Sequence, residues 1–379
     1  MTERRPRHLV YVITEDWFFA SHFLSRSLGS LSANHEVTVI TRCHESAAKL
    51  RDTGLNFVHF DFSRRGLNPF SEIYTTLKLK SLLTRLKPDI VHNIALKPIV
   101  HGTLAARMAG VKNIVNAPTG MGYVFTSTDF KARVVKPFVT TILRFVLSRN
   151  GSKIIIENEE DKENLINDRF ADRENITLIK GSGVDIKKFT YEHEPKGEVK
   201  VAMISRLLRD KGVYEFIEAA KIIGATDKLT KFIIRGDSDI GNPTSISEDA
   251  IKDLSKSGNI VWLKERTEIA ELLKSVHIVC LPSYREGLPM SLIEATAAGR
   301  PIVTTDVTGC REVVTDRVNG LLVPPRDGGA LAAALLKLIH DPEMRKVMGA
   351  RNREKAEKEF ANEIIIDQTL KVYESFYAS

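Results

Sequence analysis

The sequence is short of cysteine, of apolar length and, in its first half, of acid. Its three cysteines, Cys43, Cys280 and Cys310, are odd in number, far apart and in no CxxC pair. That argues against a disulfide framework or a zinc site and for a reducing compartment. No run approaches the ~18 apolar residues of a membrane-spanning helix. The opening MTERRPRHLVYVITEDWFF is basic, but Glu15 and Asp16 interrupt its apolar stretch, so it reads as a first strand rather than a leader. Short repeats and low-complexity tracts are missing too. The shortage of acid is local: residues 1–180 hold 26 Lys+Arg against 18 Asp+Glu, and the remainder 29 against 30. The positive field belongs to the first half, which is expected to meet something anionic. Nucleic acid is the less supported partner, because no binding motif accompanies the charge.

What the chain does have is alternation. HLVYVIT, EVTVITR, NFVHFDF, PDIVHNI, NIVNAPT and KIIIEN in the first half, then KVAMISR, KFIIRG, NIVWL, VHIVCLP and PIVTT, read as strands. Runs such as IVCL, apolar without alternation, suit parallel strands covered on both faces. Helical periods lie between them, at 213–223 and 268–275. Asp327 and Asp341 are expected N-caps, the second followed by Pro342 at the first helical position. The fold class is therefore α/β, with two doubly wound domains facing a cleft and ligands at the carboxyl ends of the strands. The boundary is expected within KGSGVDIKKFTYEHEPKGE, giving domains 1–182 and 183–361, with 362–379 an amphipathic helix docking on either.

The stretch SYREGLPMSLIEATAAGRP, residues 283–301, sets seven residues between Glu286 and Glu294. Pro289 is best tolerated in a first helical turn, so a helix is expected from about Leu288 or Pro289 to Gly299. Glu286 then lies in the strand-to-helix loop and Glu294 more than a turn inside the helix. Gly287 and Leu288 open the helix with free N–H groups for a phosphate. Two carboxylates flanking such a cradle suit a sugar–diphosphate–ribose ligand; solvated glutamates beside a helix start would read the same way. In VKVAMISRLLRDKGVYEFIEAA, residues 199–220, a strand leads into Arg206, Lys211 and Gly212 before a helix. An Arg fork and a Lys point charge at that turn suit a diphosphate, although ordinary loop charge, with Arg209 alongside, gives the same letters.

Together Arg206, Lys211-Gly212, EGLPMSLIEATAAGRPIV and NGLLVPP resemble glycosyltransferase family 4, the retaining GT-B nucleotide-sugar transferases, across the whole C-terminal half. The resemblance implies that Arg206 and Lys211 bind the donor diphosphate, that Glu286 meets the donor sugar and that Glu294 holds the ribose hydroxyls. Arg235 and Arg266 look similar to the family's base-binding loops, although plain surface arginines read the same way, and the resemblance sends the last helix to the N-domain. It also implies retention of configuration and no cofactor beyond a UDP-sugar donor. Asp237-Ser238-Asp239, the one Asp-x-Asp in the donor half, reads as a polar loop, so metal-independent chemistry is expected. FSRRGLNPF, HNIALKPIVHGTLAARMAG, TGMGYVF and GSGVD are similar to a bacterial subset that glycosylates undecaprenyl-diphosphate sugars. That subset implies a polyprenyl-diphosphate-linked acceptor and a place on the inner face of the cytoplasmic membrane. Where many members carry a histidine after the fifth strand, this chain has Asn116-Ala-Pro-Thr119-Gly120; small residues there let the donor sugar approach the Gly120 backbone.

On the acceptor side stand Thr119, Lys97 at a strand end, and His22, expected in or near a first helical turn. A helix histidine among phenylalanines and a solvated lysine are the plainer readings. Residues 131–153 carry six basic and no acidic residues, and 64–87 six and one. Lys131, Arg133 and Lys136, with Phe138, Leu143 and Val146 as apolar anchors, are expected at an anionic membrane surface, the plainer reading being a domain helix with a solvated basic face. A sugar-nucleotide epimerase of the same fold, a transferase for small soluble sugars, and an inert nucleotide-sugar-binding scaffold remain alternatives.

Overall fold

The computed structural model describes residues 6–62, 69–119, 140–147, 152–239, 242–256, 259–264 and 268–378. The chain divides into two compact units, Met1–Ser182 with Glu363–Ser379, and Gly183–Asn362.

The first unit holds a seven-stranded sheet of β1 (His8–Glu15), β2 (Glu36–Arg42), β3 (Asn56–His59), β4 (Ile90–Ile94), β5 (Asn113–Ala117), β6 (Ser152–Ile156) and β7 (Ile176–Leu178). Its strand order is β3-β2-β1-β4-β5-β6-β7, every pair parallel. The second holds β8 (Lys200–Ile204), β9 (Lys231–Arg235), β10 (Ile260–Leu263), β11 (Ile278–Leu281), β12 (Ile302–Thr305) and β13 (Gly320–Val323). Their order is β10-β9-β8-β11-β12-β13, again all parallel. Both orders reverse direction once, between β1 and β4 and between β8 and β11. Those are the switch points where doubly wound sheets leave a crevice at their carboxyl ends.

The apolar runs explain the layers. All four residues of β11 and of β12 are buried, as strands covered on both faces must be. Helix starts follow the short polar residues: Asp327 accepts the Ala330 N–H at 2.7 Å, and Asp341 accepts that of Met344 at 2.8 Å with Pro342 next to it. The last helix, Asn362–Glu374, is tied to the first sheet by Tyr373. Its hydroxyl lies 2.8 Å from the Tyr11 hydroxyl and 2.7 Å from His92 Nδ1, all buried. Burial pushes His92 down to about 3, so this network is neutral.

The structure differs from the sequence reading in several places, three of them in the fold. Strands β7, three residues long, and β13, which begins at a glycine and ends against Pro324-Pro325, were not read as strands. The helix at 290–297 starts at Met290, with Pro289 as its N-cap in extended backbone rather than its first residue. Leu143 and Val146, expected as membrane anchors, are fully buried in the first unit's core with Leu147 and Phe170, where no lipid reaches them. Lys131, Arg133, Lys136, Phe138, Gly120 and Arg266 lie outside the described residues.

Candidate active site

The two charged stretches are 75 residues apart in sequence, yet they are the loops that leave β8 and β11, the neighbours at the second switch point. After β8 the chain turns through Arg209–Lys211 into Gly212, whose φ of +78° only glycine adopts without strain, and on into the helix Val213–Gly224. After β11 it turns through Ser283 and Tyr284, and the two turns bond directly. Tyr284 N–H and the Ser283 hydroxyl both donate to the Asp210 carbonyl, at 2.8 and 3.1 Å. A Cβ at Gly212 would sit 2.0 Å from the Pro282 carbonyl oxygen. Lys211 and Glu286 therefore meet, Nζ to Oε1 at 2.6 Å, with the glutamate side chain only 8% exposed. The Tyr284 hydroxyl donates to Glu215 at 2.6 Å, and the Arg326 guanidinium lies 4.7 Å above the Tyr284 ring. The aromatic ring thus braces the second loop from outside.

Arg206 is more open. Its Nη1 donates to Asp239 Oδ2 at 2.7 Å, with half of the arginine side chain exposed. The Asp237–Asp239 loop is held there by its own bonds: Leu207 N–H to the Asp237 carbonyl, and Asp239 N–H to the Ser245 hydroxyl. Arg235 ends β9, next to Gly236, whose added Cβ would lie 1.8 Å from the Ser205 carbonyl oxygen. The β8 and β9 loops are consequently in contact through backbone.

Glu294 lies in the second turn of the helix Met290–Ala297 and is only partly exposed. Burial pushes its carboxyl up to about 7, against the opposing charges of Lys188 and Arg235. Those two cations bring the sequence-predicted Arg235 into electrostatic reach of Glu294, and Lys188 joins them without having been singled out. No side chain caps this helix, which leaves its first N–H groups for an anion. The Leu288 side chain is buried in the core, so only its backbone is offered to a ligand.

In the first unit, Lys97 is the second residue of the helix Leu96–Met108, which starts at the carboxyl end of β4 after Ala95, a non-glycine residue at φ +71°. Lys97 Nζ pairs with Glu72 Oε1 at 3.1 Å, and His101 Nε2 with the other Glu72 oxygen at 2.7 Å. His22 is the last residue of the helix Asp16–His22, not in its first turn, because the helix begins directly after β1. Its Nδ1 lies 2.7 Å from the Ser21 hydroxyl and its ring 4.4 Å from that of Phe18. Thr119 is partly buried beyond β5. Asn116, standing near the missing histidine, accepts from Asn93 and Thr103 at 3.0 and 2.9 Å inside the unit.

Some charged groups at the strand ends escaped the sequence reading: Asp239 as the partner of Arg206, Glu215 behind Tyr284, and Glu157. Burial pushes Glu157, just past β6, up to about 7 against the pull of the buried Arg26. Glu215 and Glu157 stand in no pattern that marks them, and the Asp-x-Asp that holds Asp239 reads as a polar loop; each acquires its role from a neighbour distant in sequence.

Comparison with known proteins gives the family. Residues 185–355 match the family of glycosyl transferases group 1, and residues 8–159 the glycosyl transferase 4-like family. Over 352 residues the chain is 32% identical to N,N'-diacetylbacillosaminyl-diphospho-undecaprenol alpha-1,3-N-acetylgalactosaminyltransferase of Campylobacter jejuni, covering 89% of this chain and 91% of that one. It is 29% identical over 305 residues to UDP-Gal:alpha-D-GlcNAc-diphosphoundecaprenol alpha-1,3-galactosyltransferase of Escherichia coli, covering 77% and 76%. In fold it resembles Anabaena HepE crystallised with UDP and glucose, at a TM-score of 0.78 and 18% identity over 97% of this chain and 100% of that one. The chain belongs to the GT-B glycosyltransferases of family 4.

Proposed function

We propose that the chain transfers a hexose or N-acetylhexosamine from a UDP-sugar to a hydroxyl of an undecaprenyl-diphosphate-linked sugar, with retention, in bacterial glycan assembly. The observation that carries this reading is the junction of the β8 and β11 loops, where Lys211 meets Glu286, with Arg206 on the same β8 loop paired to Asp239. Each cation is held by a carboxylate, and a donor diphosphate takes the carboxylates' place. As the glycosidic bond breaks, negative charge grows on the leaving diphosphate, and Arg206 and Lys211 stabilise it without a metal. Glu286, released from Lys211, turns to the donor sugar, and Glu294 accepts from the ribose hydroxyls. The leaving phosphate takes the acceptor proton on the same face, so no protein nucleophile is needed. The names of the Campylobacter and Escherichia relatives support the lipid-diphosphate acceptor.

The test is a panel of nucleotide sugars assayed with undecaprenyl-diphosphate sugars, following nucleotide release and the anomeric configuration of the product. Epimerised donor formed without acceptor, or transfer only to small soluble sugars, would overturn the reading.

Glu294 supplies a pH signature. Only its ionised form accepts both ribose hydroxyls, and it titrates near 7. Donor binding therefore releases a proton below pH 7, and UDP-sugar affinity rises by about tenfold from pH 6 to pH 8. Glu294→Gln should flatten that profile. A parent profile that is already flat removes Glu294 from the ribose.

The membrane reading rests on the helix Pro69–Leu86. Phe70, Ile73, Tyr74 and Leu77 are 82, 58, 68 and 47% exposed, spaced i, i+3, i+4 and i+7 on one face, while Leu79 and Leu83 bury the opposite face in the core. Lys78 and Arg85, both exposed, flank this stripe. No helix among the described residues is long and apolar enough to cross a membrane, so the proposed contact is peripheral, with the stripe lying on an anionic bilayer. With about 1 kcal/mol for each cation, Lys78→Gln with Arg85→Gln should weaken binding to anionic vesicles by roughly 30-fold, and Phe70→Ser with Tyr74→Ser further. The KM for a long-chain acceptor should rise with it and the donor KM should not. Unchanged vesicle binding in both pairs of variants would sink the proposal.

A further inference from the structure

At the carboxyl end of the first sheet, the chain leaves β5, β6 and β7 through Thr119, Glu157 and Lys180-Gly181. Asn116 pairs with Ile154 across β5 and β6, and three residues further along each strand stand Thr119 and Glu157. On the other side Ile156 pairs with Leu178, and the Ile179 N–H donates to the Ile156 carbonyl at 2.9 Å, which carries Lys180 and Gly181 past the same end. Thr119 and Glu157 are both partly exposed.

Glu157 is supplied with charge but not with hydrogen bonds. The opposite charge comes from Arg26, buried in the helix Leu24–Ser32. That guanidinium donates to the Gly181 carbonyl, not to Glu157. The acidic neighbour Asp161 is taken by Asn158, whose Nδ2 donates to it at 2.8 Å. No hydrogen bond reaches the Glu157 carboxylate among the described residues, and neither of its oxygens is sealed from solvent. Full hydration would hold such a carboxyl in the ordinary range; burial instead pushes it up to about 7. A group whose charge is answered and whose lone pairs are not calls for a neutral ligand with hydrogens to give. A second cation would overbalance Arg26 and an anion would be repelled, whereas hydroxyl groups meet both conditions.

We propose that Glu157, with Thr119 on the neighbouring strand, binds hydroxyl groups of the acceptor sugar. The assignment rests on the acceptor reading given above and adds to it a residue that recognises the sugar rather than the diphosphate. The carboxylate accepts from adjacent hydroxyls, and the Thr119 hydroxyl gives or accepts one bond more. An acceptor lacking a contacted hydroxyl leaves the carboxylate without its donor and is rejected on that account. Arg26 and Ser25 hold the site from behind, through the Gly181 carbonyl and, at 3.3 Å, the Ser182 carbonyl.

Undecaprenyl-diphosphate sugars lacking one sugar hydroxyl at a time are assayed with the parent and with Glu157→Ala. The variant should raise the acceptor KM by roughly tenfold or more, the scale for a hydrogen bond to a charged group, and leave the donor KM alone. Removing the contacted hydroxyl should cost the parent as much in kcat/KM and cost the variant nothing further, a non-additivity that a merely structural role does not produce. Glu157→Asp keeps the charge opposite Arg26 and shortens the reach; should Glu157→Ala fail to fold, it is expected to raise the acceptor KM several-fold at a Tm near the parent's. An unchanged acceptor KM in the folded variants, or additive losses for every deoxygenated acceptor, would overturn the assignment. If the parent glycosylates no lipid-diphosphate sugar, the acceptor reading fails by itself, and the sugar subsite is then read from N-acetylglucosamine binding by saturation-transfer NMR. Signal kept in the parent and in Lys211→Ala but weakened in Glu157→Asp supports the subsite; no signal in the parent, or equal signal in Glu157→Asp, overturns it.

Discussion

Lys211→Ala should lower kcat/KM for transfer by about 10² or more, the loss expected when one transition-state charge stabiliser is removed. Arg206→Ala should lose as much. The two variants part company in stability. Lys211 shields Glu286, whose side chain is 8% exposed, and its removal leaves a nearly buried carboxylate without its partner. That costs about 1–3 kcal/mol. The Arg206–Asp239 pair is half in solvent, so its loss costs ~1 kcal/mol at most. Equal kinetic damage with unequal destabilisation therefore separates a shared role in the reaction from a general weakening of the fold. Steady-state rates beside denaturant melts make the measurement, and near-normal turnover by both folded variants would take the two cations out of the chemistry.

Gly212→Ala should be among the most damaging single methyl additions in the second unit. The residue sits at φ +78°, which costs a residue with a Cβ about 1–2 kcal/mol. The added carbon would also lie 2.0 Å from the Pro282 carbonyl oxygen, a backbone atom that cannot swing aside. Relieving that clash parts the β8 loop from the β11 loop and pulls Lys211 off Glu286. A total loss of about 3 kcal/mol is expected, with donor affinity falling tenfold or more. Gly197→Ala is the matched control: φ is +105° and nothing lies within 4 Å of its new carbon, so it bears the backbone cost alone. If the two variants melt together, the contact between the loops carries no weight.

Much of this molecule was legible in its letters, for a local reason. Parallel strands buried on both faces must be nearly continuous apolar runs, as in β11, and eleven of the thirteen strands among the described residues were read from apolar or β-branched runs. The two that were not are Ile176–Leu178, only three residues long, and Gly320–Val323, which opens on glycine and runs straight into Pro324-Pro325. The caps at Asp327 and Asp341 were equally plain, because a capping side chain bonds an N–H only three residues on. His22 was misplaced by one helical turn, since nothing local marks where a strand passes directly into a helix.

The chain's own letters determined the α/β class, the charge asymmetry, the loops that carry Arg206, Lys211 and Glu286, and the helix that carries Glu294, because each depends on neighbours a few residues away. Tertiary structure alone decided which of these meet. The strand order places β8 beside β11, and that adjacency, with no trace in either stretch, brings Lys211 to Glu286 across 75 residues of chain. It also decided that Leu143 and Val146 are core, that Phe70 and Tyr74 are surface, and that Arg26 is a buried charge. Burial and charge pairing are set by what packs on a residue from afar, and no window of sequence contains that.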